Sequence, residues 1–445
     1  MLDSLLDSRV PCDCGITHEV HIKSVNIGRG VVATSGAVAR SLGWSGTLAL
    51  VSDPQTRQAA GNAVAQSLVD AGYTIHWVDL EEHPVASPDS VQRVQDMVGD
   101  APAFVAVGAG TINDIVKSAA HALGRPYMVV GTALSMNGYT SSISALLDGG
   151  IKRTVQTTPA AAVVLDLDVC AAAPMDMTLA GLGDMLSKPF SEADWRLASR
   201  IDGGYHCARP GGILNEPFQQ MLRDASSIGQ GNPEAMVSLA ESVVLSGISM
   251  AMAGVSSPAS GGEHLISHYW DMMQYGKDLH PFAWHGTQVG VACCMVEPLH
   301  HRFQTLQAGD IDVNACMTDW PSSEDALIHR VRSRHPLLPS DAVESVVEQA
   351  LLKWRPPAEQ RKRLESTLRQ LPEIQAFVGE ALLTLGAVRQ ALVDAGGPTE
   401  PAMVDATLAG TLDRWHVVRD MRSRYTILDL ADELGWFPKS VSHKV

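Results

Sequence analysis

Residues 48–167 alternate short β-branched runs with helix-patterned segments, and after about residue 169 the alternation stops. LALVSD (48–53), TIHWVDL (74–80), FVAVG (104–108), YMVVGT (127–132) and AAVVLDL (161–167) read as strands, with helices expected over 54–71, 87–97 and 112–123. Strands joined by single helices at this spacing pair as parallel neighbours through βαβ crossovers, which predicts a doubly wound sheet. Further on, apolar residues recur with helical period over 178–198, 233–253, 262–273, 286–303, 324–334, 341–354, 358–370, 373–395 and 401–434, without a strand-like run. The expected architecture is an α/β, Rossmann-like domain over 1–170 followed by an all-α domain over 171–445. Open parallel sheets bind ligands at the carboxyl ends of their strands, so the cleft between the two parts is the expected site.

Composition narrows the partners. A net charge of −16 would be repelled by nucleic acid and by anionic membranes, although a local pocket can still be positive. Seven scattered cysteines, an odd number without a paired framework, fit a reducing compartment. The N-terminus MLDSLLDSRVPCDCG lacks a basic-then-apolar signal pattern, and the apolar stretch 243–255, interrupted by Ser246, Gly247 and Ser249, reads as too short to span a bilayer. A cytoplasmic chain without membrane insertion is expected.

The motifs converge on two kinds of chemistry. In VGAGTINDIVK, Gly108 and Gly110 follow a strand and Thr111 is the expected N-cap of the next helix, a place where backbone N–H groups can cradle a pyrophosphate. It departs from G-x-G-x-x-G, since Asp114 and Ile115 stand where the third glycine belongs. Asp53 ends a strand ahead of Pro54, and reads equally as a ribose-binding acid and as a helix cap. VGTALSMNGYTSS crowds Thr132, Ser135, Asn137, Tyr139, Ser141 and Ser142 into a loop at a strand's carboxyl end.

Asp184, His264 and His285 lie in GLGDMLSK, SGGEHLISHYWDM and FAWHGTQVGV, and one carboxylate with two imidazoles suits a divalent metal that keeps an open position. Asp184 alone also reads as a solvent-facing ion pair with Lys188, but its turn is largely apolar, and a buried carboxylate needs a cation or strong hydrogen bonds. His268 shares a helix face with His264, and Lys152 is a candidate for electrostatic support. The histidines of LHH (299–301) and RHP (334–336) read as exposed. CDCGITH, with Cys12, Cys14 and His18, looks like half a zinc site, and no second half follows it in the sequence.

Taken in order, GAGTINDIVK, GTALSMNGYTS, IKRT, DLDVCAAAP, AGLGDMLSKPFSEADW, SPASGGEHLISHYWDM and HGTQVGV resemble the sn-glycerol-1-phosphate dehydrogenase family, of bacterial type. That family lies within the iron-containing alcohol dehydrogenase and dehydroquinate synthase superfamily. CDCGITHEVHIKSVNIG and VRDMRSRYTILDLADELG extend the likeness to nearly the whole chain, more loosely over 305–400. The resemblance implies a dehydroquinate synthase-like architecture. It also implies interconversion of dihydroxyacetone phosphate and glycerol 1-phosphate with NAD(H) or NADP(H). Asp184, His264 and His285 match the metal ligands, for which zinc, nickel and iron(II) all qualify. Gly108, Gly110, Thr111, Ile112, Asn113 and Asp114 match the cofactor's phosphate loop, Thr132, Ser135 and Ser141 the nicotinamide half, and Asp53 the ribose acid. Asn137, His268 and Asp184 match substrate contacts. A homo-oligomer, dimer or larger, is expected.

Two departures bear on substrate and cofactor. Where the family usually reads Ser-x-Asp-Gly, this chain has Ser135, Met136, Asn137 and Gly138, so an amide replaces a carboxylate that binds substrate hydroxyls. Ala109 stands where a glycine is common, which matters only if φ is positive there. Asn137 opens an alternative, the same chemistry on a different polyol, alcohol or keto-phosphate. A non-catalytic metal or nucleotide sensor is the third reading.

Overall fold

The computed structural model describes residues 2–149, 151–275, 281–404 and 414–437. Three strands precede the first expected one: β1 (Ser8–Pro11) and β2 (Thr17–Val20) form an antiparallel hairpin, and β3 (Ser24–Gly28) joins the main sheet. The expected strands are β4 (Thr47–Ser52), β5 (Thr74–Asp79), β6 (Ala103–Gly108) and β7 (Tyr127–Gly131). A second hairpin, β8 (Ile143–Asp148) and β9 (Ile151–Gln156), was not anticipated, and β10 (Ala162–Asp166) completes the set. The six sheet strands run parallel in the order β3-β10-β7-β6-β4-β5.

Every residue of β6, β7 and β10 is buried, as strands covered on both faces must be. Their alternation sorts the side chains. Val105, Val107, Met128, Val130 and Val164 pack against the helices Ser35–Ser41 and Asn62–Asp70. Phe104, Ala106, Val129, Val163 and Leu165 face a second core that continues without a break into the helical part.

The site is framed by α1 (Gly110–Ala122), α2 (Met175–Leu186), α3 (Lys188–Ile201), α4 (Met236–Ala253), α5 (Gly262–Tyr275), α6 (His285–Thr305) and α7 (Ile427–Glu433). Several expected helices are shorter than their periodicity suggests. The 178–198 pattern divides between α2 and α3 at Ser187, whose hydroxyl donates back to the Asp184 carbonyl at 2.6 Å. The 54–71 pattern contains a π-helical turn at Arg57–Gly61. The 401–434 pattern holds only short 3-10 turns and α7, with 405–413 outside the described residues.

Two burial expectations are corrected. His300 and His335 are almost fully buried, His300 against the Phe190 ring and His335 between Tyr269 and Asp420, so of these histidines only His301 meets solvent. The apolar stretch around 243–255 belongs to an 18-residue helix, α4, that is long and apolar enough to cross a membrane; 83% of it is instead buried within the protein.

Candidate active site

The sheet ends in one row. Register pairs Val51 with Ala106 and Gly108 with Gly131, so Asp53, Gly108 and Gly131 stand side by side at the carboxyl edge. From β4 the chain winds outward to β5, and from β6 it winds the opposite way. This reversal is the place where open α/β sheets take their ligands.

Helix α1 starts at Gly110. Its N-cap is Ala109, not Thr111 as expected, and no side chain closes the cap. The first-turn N–H groups and the positive helix end are thus uncapped by any side chain. Ala109 has φ −92°, a region open to any residue, so alanine replaces glycine without strain. A Cβ on Gly110 would meet Met136 Cγ at 3.1 Å, so glycine lets the loop after β7 lie against this turn.

Other expected cofactor residues divide. Asp53 caps the helix Pro54–Thr56 through Oδ1, which accepts from the Thr56 N–H at 2.7 Å and its hydroxyl at 3.0 Å. Thr132 donates its N–H to the Gly108 carbonyl at 3.2 Å, and it and Ser135 are largely buried at the strand edge. Asn113, Asp114 and Ser141 turn into protein. Asn113 accepts from the Tyr127 hydroxyl, Asp114 Oδ2 accepts from the Ala145 N–H at 3.1 Å, and Ser141 lies 3.3 Å from Lys117 Nζ. Lys117, unremarked in the sequence, is fully buried and donates to the Gly138 and Ile143 carbonyls at 2.6 and 2.9 Å. It fixes the loop that delivers Asn137.

Asn137 joins the sheet edge to the helices. Its backbone N–H donates to Asp184 Oδ2 at 3.0 Å and its amide to Oδ1 at 3.2 Å. Lys188 Nζ lies 3.2 Å from Oδ1 and His264 Nε2 3.4 Å from it. The pairing of Asp184 with Lys188 therefore exists, but inside the protein, with side-chain exposures of 1% and 4%. Burial works against the Asp184 charge, yet Lys188 and then His264 outweigh it and hold the carboxyl well below the usual carboxylate range. Close helix packing brings His285 in. A Cβ on Gly183 would come 2.3 Å from the Gly286 carbonyl oxygen, and one on Gly286 1.9 Å from that of Ala180. These two glycines let α2 and α6 touch backbone to backbone.

The imidazoles are oriented from behind. His264 Nδ1 is 2.8 Å from Glu263 Oε1, and its Nε2 points to Asp184. His285 Nδ1 is 2.9 Å from Ser267 Oγ, whose hydrogen goes to Gln288 Oε1 at 3.0 Å. Gln288 in turn donates to Asp271 Oδ1 at 3.0 Å and the Ala283 carbonyl at 3.0 Å. With the Ser267 hydrogen committed, His285 Nδ1 must be the donor, and its Nε2 keeps a free lone pair. The His264 and His285 rings lie 5.4 Å apart, and His268 stacks on His285 at 5.3 Å. Burial, followed by the Lys152 ammonium, pushes both His268 and His285 well below the ordinary imidazole range. Lys152 is held by Asp271 Oδ2 at 3.3 Å, and Arg422 also acts on His268. One carboxylate and two imidazoles, each ring held from behind by a neighbouring side chain, form a donor set that fits a divalent cation. Sequence reading missed Ser267, Gln288 and Arg422. The first two sit three residues after His264 and His285, one helical turn on the same face.

Known proteins resemble this chain in sequence and in fold. The iron-containing alcohol dehydrogenase family model matches residues 26–174. A glycerol-1-phosphate dehydrogenase [NAD(P)+] of Bacillus licheniformis is 32% identical over 67% of this chain and 76% of its own length. One from Haloquadratum walsbyi is 31% identical over 74% of this chain and 95% of its own. The chain belongs to the glycerol-1-phosphate dehydrogenase family. It is thereby a dehydrogenase within the iron-containing alcohol dehydrogenase superfamily, as its motifs suggested. The crystal structure of a probable glycerol dehydrogenase from Sinorhizobium meliloti 1021 shares the fold, with a TM-score of 0.59 at 16% identity over 93% of this chain and 96% of that one. Glycerol dehydrogenase from Schizosaccharomyces pombe follows at 0.53 and 19% over 80% and 92%.

Proposed function

We propose that this dehydrogenase interconverts dihydroxyacetone phosphate and sn-glycerol 1-phosphate with NAD(H) or NADP(H), and depends on a divalent metal held by Asp184, His264 and His285. The observation that carries the reading is continuity: the uncapped start of α1 touches Met136, and the next residue, Asn137, clasps Asp184. The helix start that would take the cofactor phosphates and the residues that would hold the metal are thus separated by one short loop. When bound, the metal supplies Lewis acidity at a substrate oxygen and the nicotinamide carries the hydride.

The chain's own groups do the rest. Backbone N–H groups from Gly110 to Ile112 receive the pyrophosphate, and Asp53 receives a ribose hydroxyl with the oxygen its cap leaves over. Thr132 and Ser135 line the nicotinamide half. His268, whose Nδ1 is buried without a protein partner, orients a substrate hydroxyl or passes its proton outward. Lys152 and Arg422, both acting on His268, make the pocket positive where a phosphorylated substrate carries its charge. We place the enzyme in the cytoplasm as a two-part protein divided near residue 170, working as a homo-oligomer.

A second reading keeps the chemistry and changes the substrate. It is favoured by Asn137, whose amide is spent on Asp184. The deciding assay is NADH and NADPH oxidation with dihydroxyacetone phosphate, on protein loaded separately with zinc, nickel and iron(II). Turnover that disappears in Asp184→Ala supports the first reading. Cofactor binding without turnover, followed by turnover on another polyol or keto-phosphate, supports the second. Full activity after complete chelation would end both.

A further inference from the structure

The fold supplies the second half that CDCGITH lacks in the sequence. Cys12 and Cys14 lie in the turn between β1 and β2, His18 is on β2, and Cys207 immediately precedes the helix Ala208–Gly212. Their ligand atoms all fall within 4.8 Å of one another. Cys12 Sγ is 3.6 Å from Cys207 Sγ, Cys14 Sγ is 3.5 Å from His18 Nε2, and Cys207 Sγ is 3.4 Å from that nitrogen. A tetrahedron around zinc, with bonds of ~2.3 Å to sulfur and ~2.0 Å to nitrogen, has edges of about 3.5–3.8 Å. Three of the six edges here, at 3.4–3.6 Å, are already close to those lengths, and no other exceeds 4.8 Å.

We propose that Cys12, Cys14, His18 and Cys207 form a closed structural zinc(II) site, separate from the catalytic cluster. His18 is prepared for it. Its Nδ1 lies 2.6 Å from the Met252 carbonyl oxygen, which can only accept, so the ring hydrogen sits there and the Nε2 lone pair faces the sulfurs. The Tyr205 hydroxyl, 3.8 Å from Cys14 Sγ, is placed to donate to a thiolate. Trp195 and Ala253 pack around Cys207, so the site sits in an apolar wall. Four protein donors leave no position for substrate, the mark of a structural ion. A disulfide between Cys12 and Cys207 needs sulfurs at ~2.05 Å, and it would leave Cys14 and the aimed imidazole unexplained.

The ion would close a long connection. Cys12 and Cys207 are 195 residues apart. β2 leads directly into β3, the edge strand of the sheet, while Cys207 follows α3, the helix that begins at Lys188 beside Asp184. The staple therefore ties the entry of the sheet to the helical part that carries the catalytic donors.

The test uses the full chain purified under reducing conditions, with Asp184→Ala/His264→Ala as a background that removes the catalytic donors. This background should retain one zinc per chain by elemental analysis. Its cobalt(II) form should show an intense sulfur-to-metal charge-transfer band in the near ultraviolet, which a site of one carboxylate and two imidazoles cannot produce. Cys207→Ser and His18→Ala in that background should lose the ion, and His18→Cys should keep it, which separates loss of a ligand from loss of fold. A folded background protein without the cobalt–thiolate band overturns the proposal. So does a zinc content unchanged by Cys207→Ser, or a mass two hydrogens short that maps to a Cys12–Cys207 bond.

Discussion

The Asp184–His264–His285 cluster and the Cys12–Cys14–His18–Cys207 cluster both gather metal-type donors from distant parts of the chain, and they are finished in opposite ways. The first has three donors, a lysine already on the carboxylate, and further cations and an unpaired imidazole nitrogen nearby. The second has four donors, apolar neighbours and one backbone carbonyl steering its histidine. An incomplete, polar shell can exchange ligands; a complete, soft one holds shape. The orienting devices differ accordingly: Ser267, Gln288 and Asp271 form a side-chain relay that substitution can tune, whereas Met252 contributes main chain that it cannot.

The largest effect should come from breaking the open cluster. Asp184→Ala removes a donor and leaves Lys188 buried without its partner, so turnover should fall by at least about 10³-fold, given the several kcal/mol expected of Lewis-acid stabilisation. Zinc at the cysteine cluster should be unaffected, and elemental analysis beside the rate assay checks both. Loss of the metal from both clusters would mean that they are not independent. Chelator gives the graded version. Activity should disappear well before the thiolate-bound zinc is released to a colorimetric indicator. Simultaneous release would remove the contrast between open and closed shells.

A smaller effect should follow from the relay. Ser267→Ala leaves His285 in place but takes away the acceptor for its Nδ1–H, so metal affinity at the open site should drop by about 10–100-fold. Competition with a calibrated chelator, on chains whose cysteine cluster is loaded, measures it. An unchanged affinity would show that the helix start alone fixes His285.

The parts of this fold readable in the sequence are those where one residue type has one structural consequence. Fully buried strands such as FVAVG had to be covered on both faces, and Gly-Ala-Gly after a strand marked the turn into a helix. β9, IKRTVQ, was unreadable because it pairs with β8 alone and its residues 152–156 are half-buried to exposed without alternation. The helix ends at 187 and beyond 400 failed for another reason, since apolar spacing continues through a break when the next segment packs on the same core. Asp184, His264 and His285 were singled out by residue type, and the structure brings them together. Their approach depends on Gly183 and Gly286, whose role appears only when two helices cross. Cys207 was out of reach, because nothing local marks a cysteine as the partner of a histidine 189 residues away.

The finest distinction between the clusters lies in the hydrogen bonds each makes without metal, and in the open cluster Asn137 supplies two of them. In the open cluster the Asn137 amide donates to the Asp184 carboxylate. Asn137→Asp would replace that donor with a second carboxylate at the same distance. The metal-free enzyme should lose a charge-assisted hydrogen bond of about 1.5–3 kcal/mol and gain repulsion, lowering its melting temperature. Added metal should reverse the loss, because a cation between two carboxylates is better held than one beside an amide. Melting curves of both proteins with and without zinc, with the cysteine cluster kept loaded, test the sign. A variant more stable than the parent without metal would show that Asn137 serves the substrate and not the empty site. Kinetics add the functional half: if Asn137 has shifted the substrate, Asn137→Asp should raise kcat/KM for dihydroxyacetone phosphate relative to other ketones.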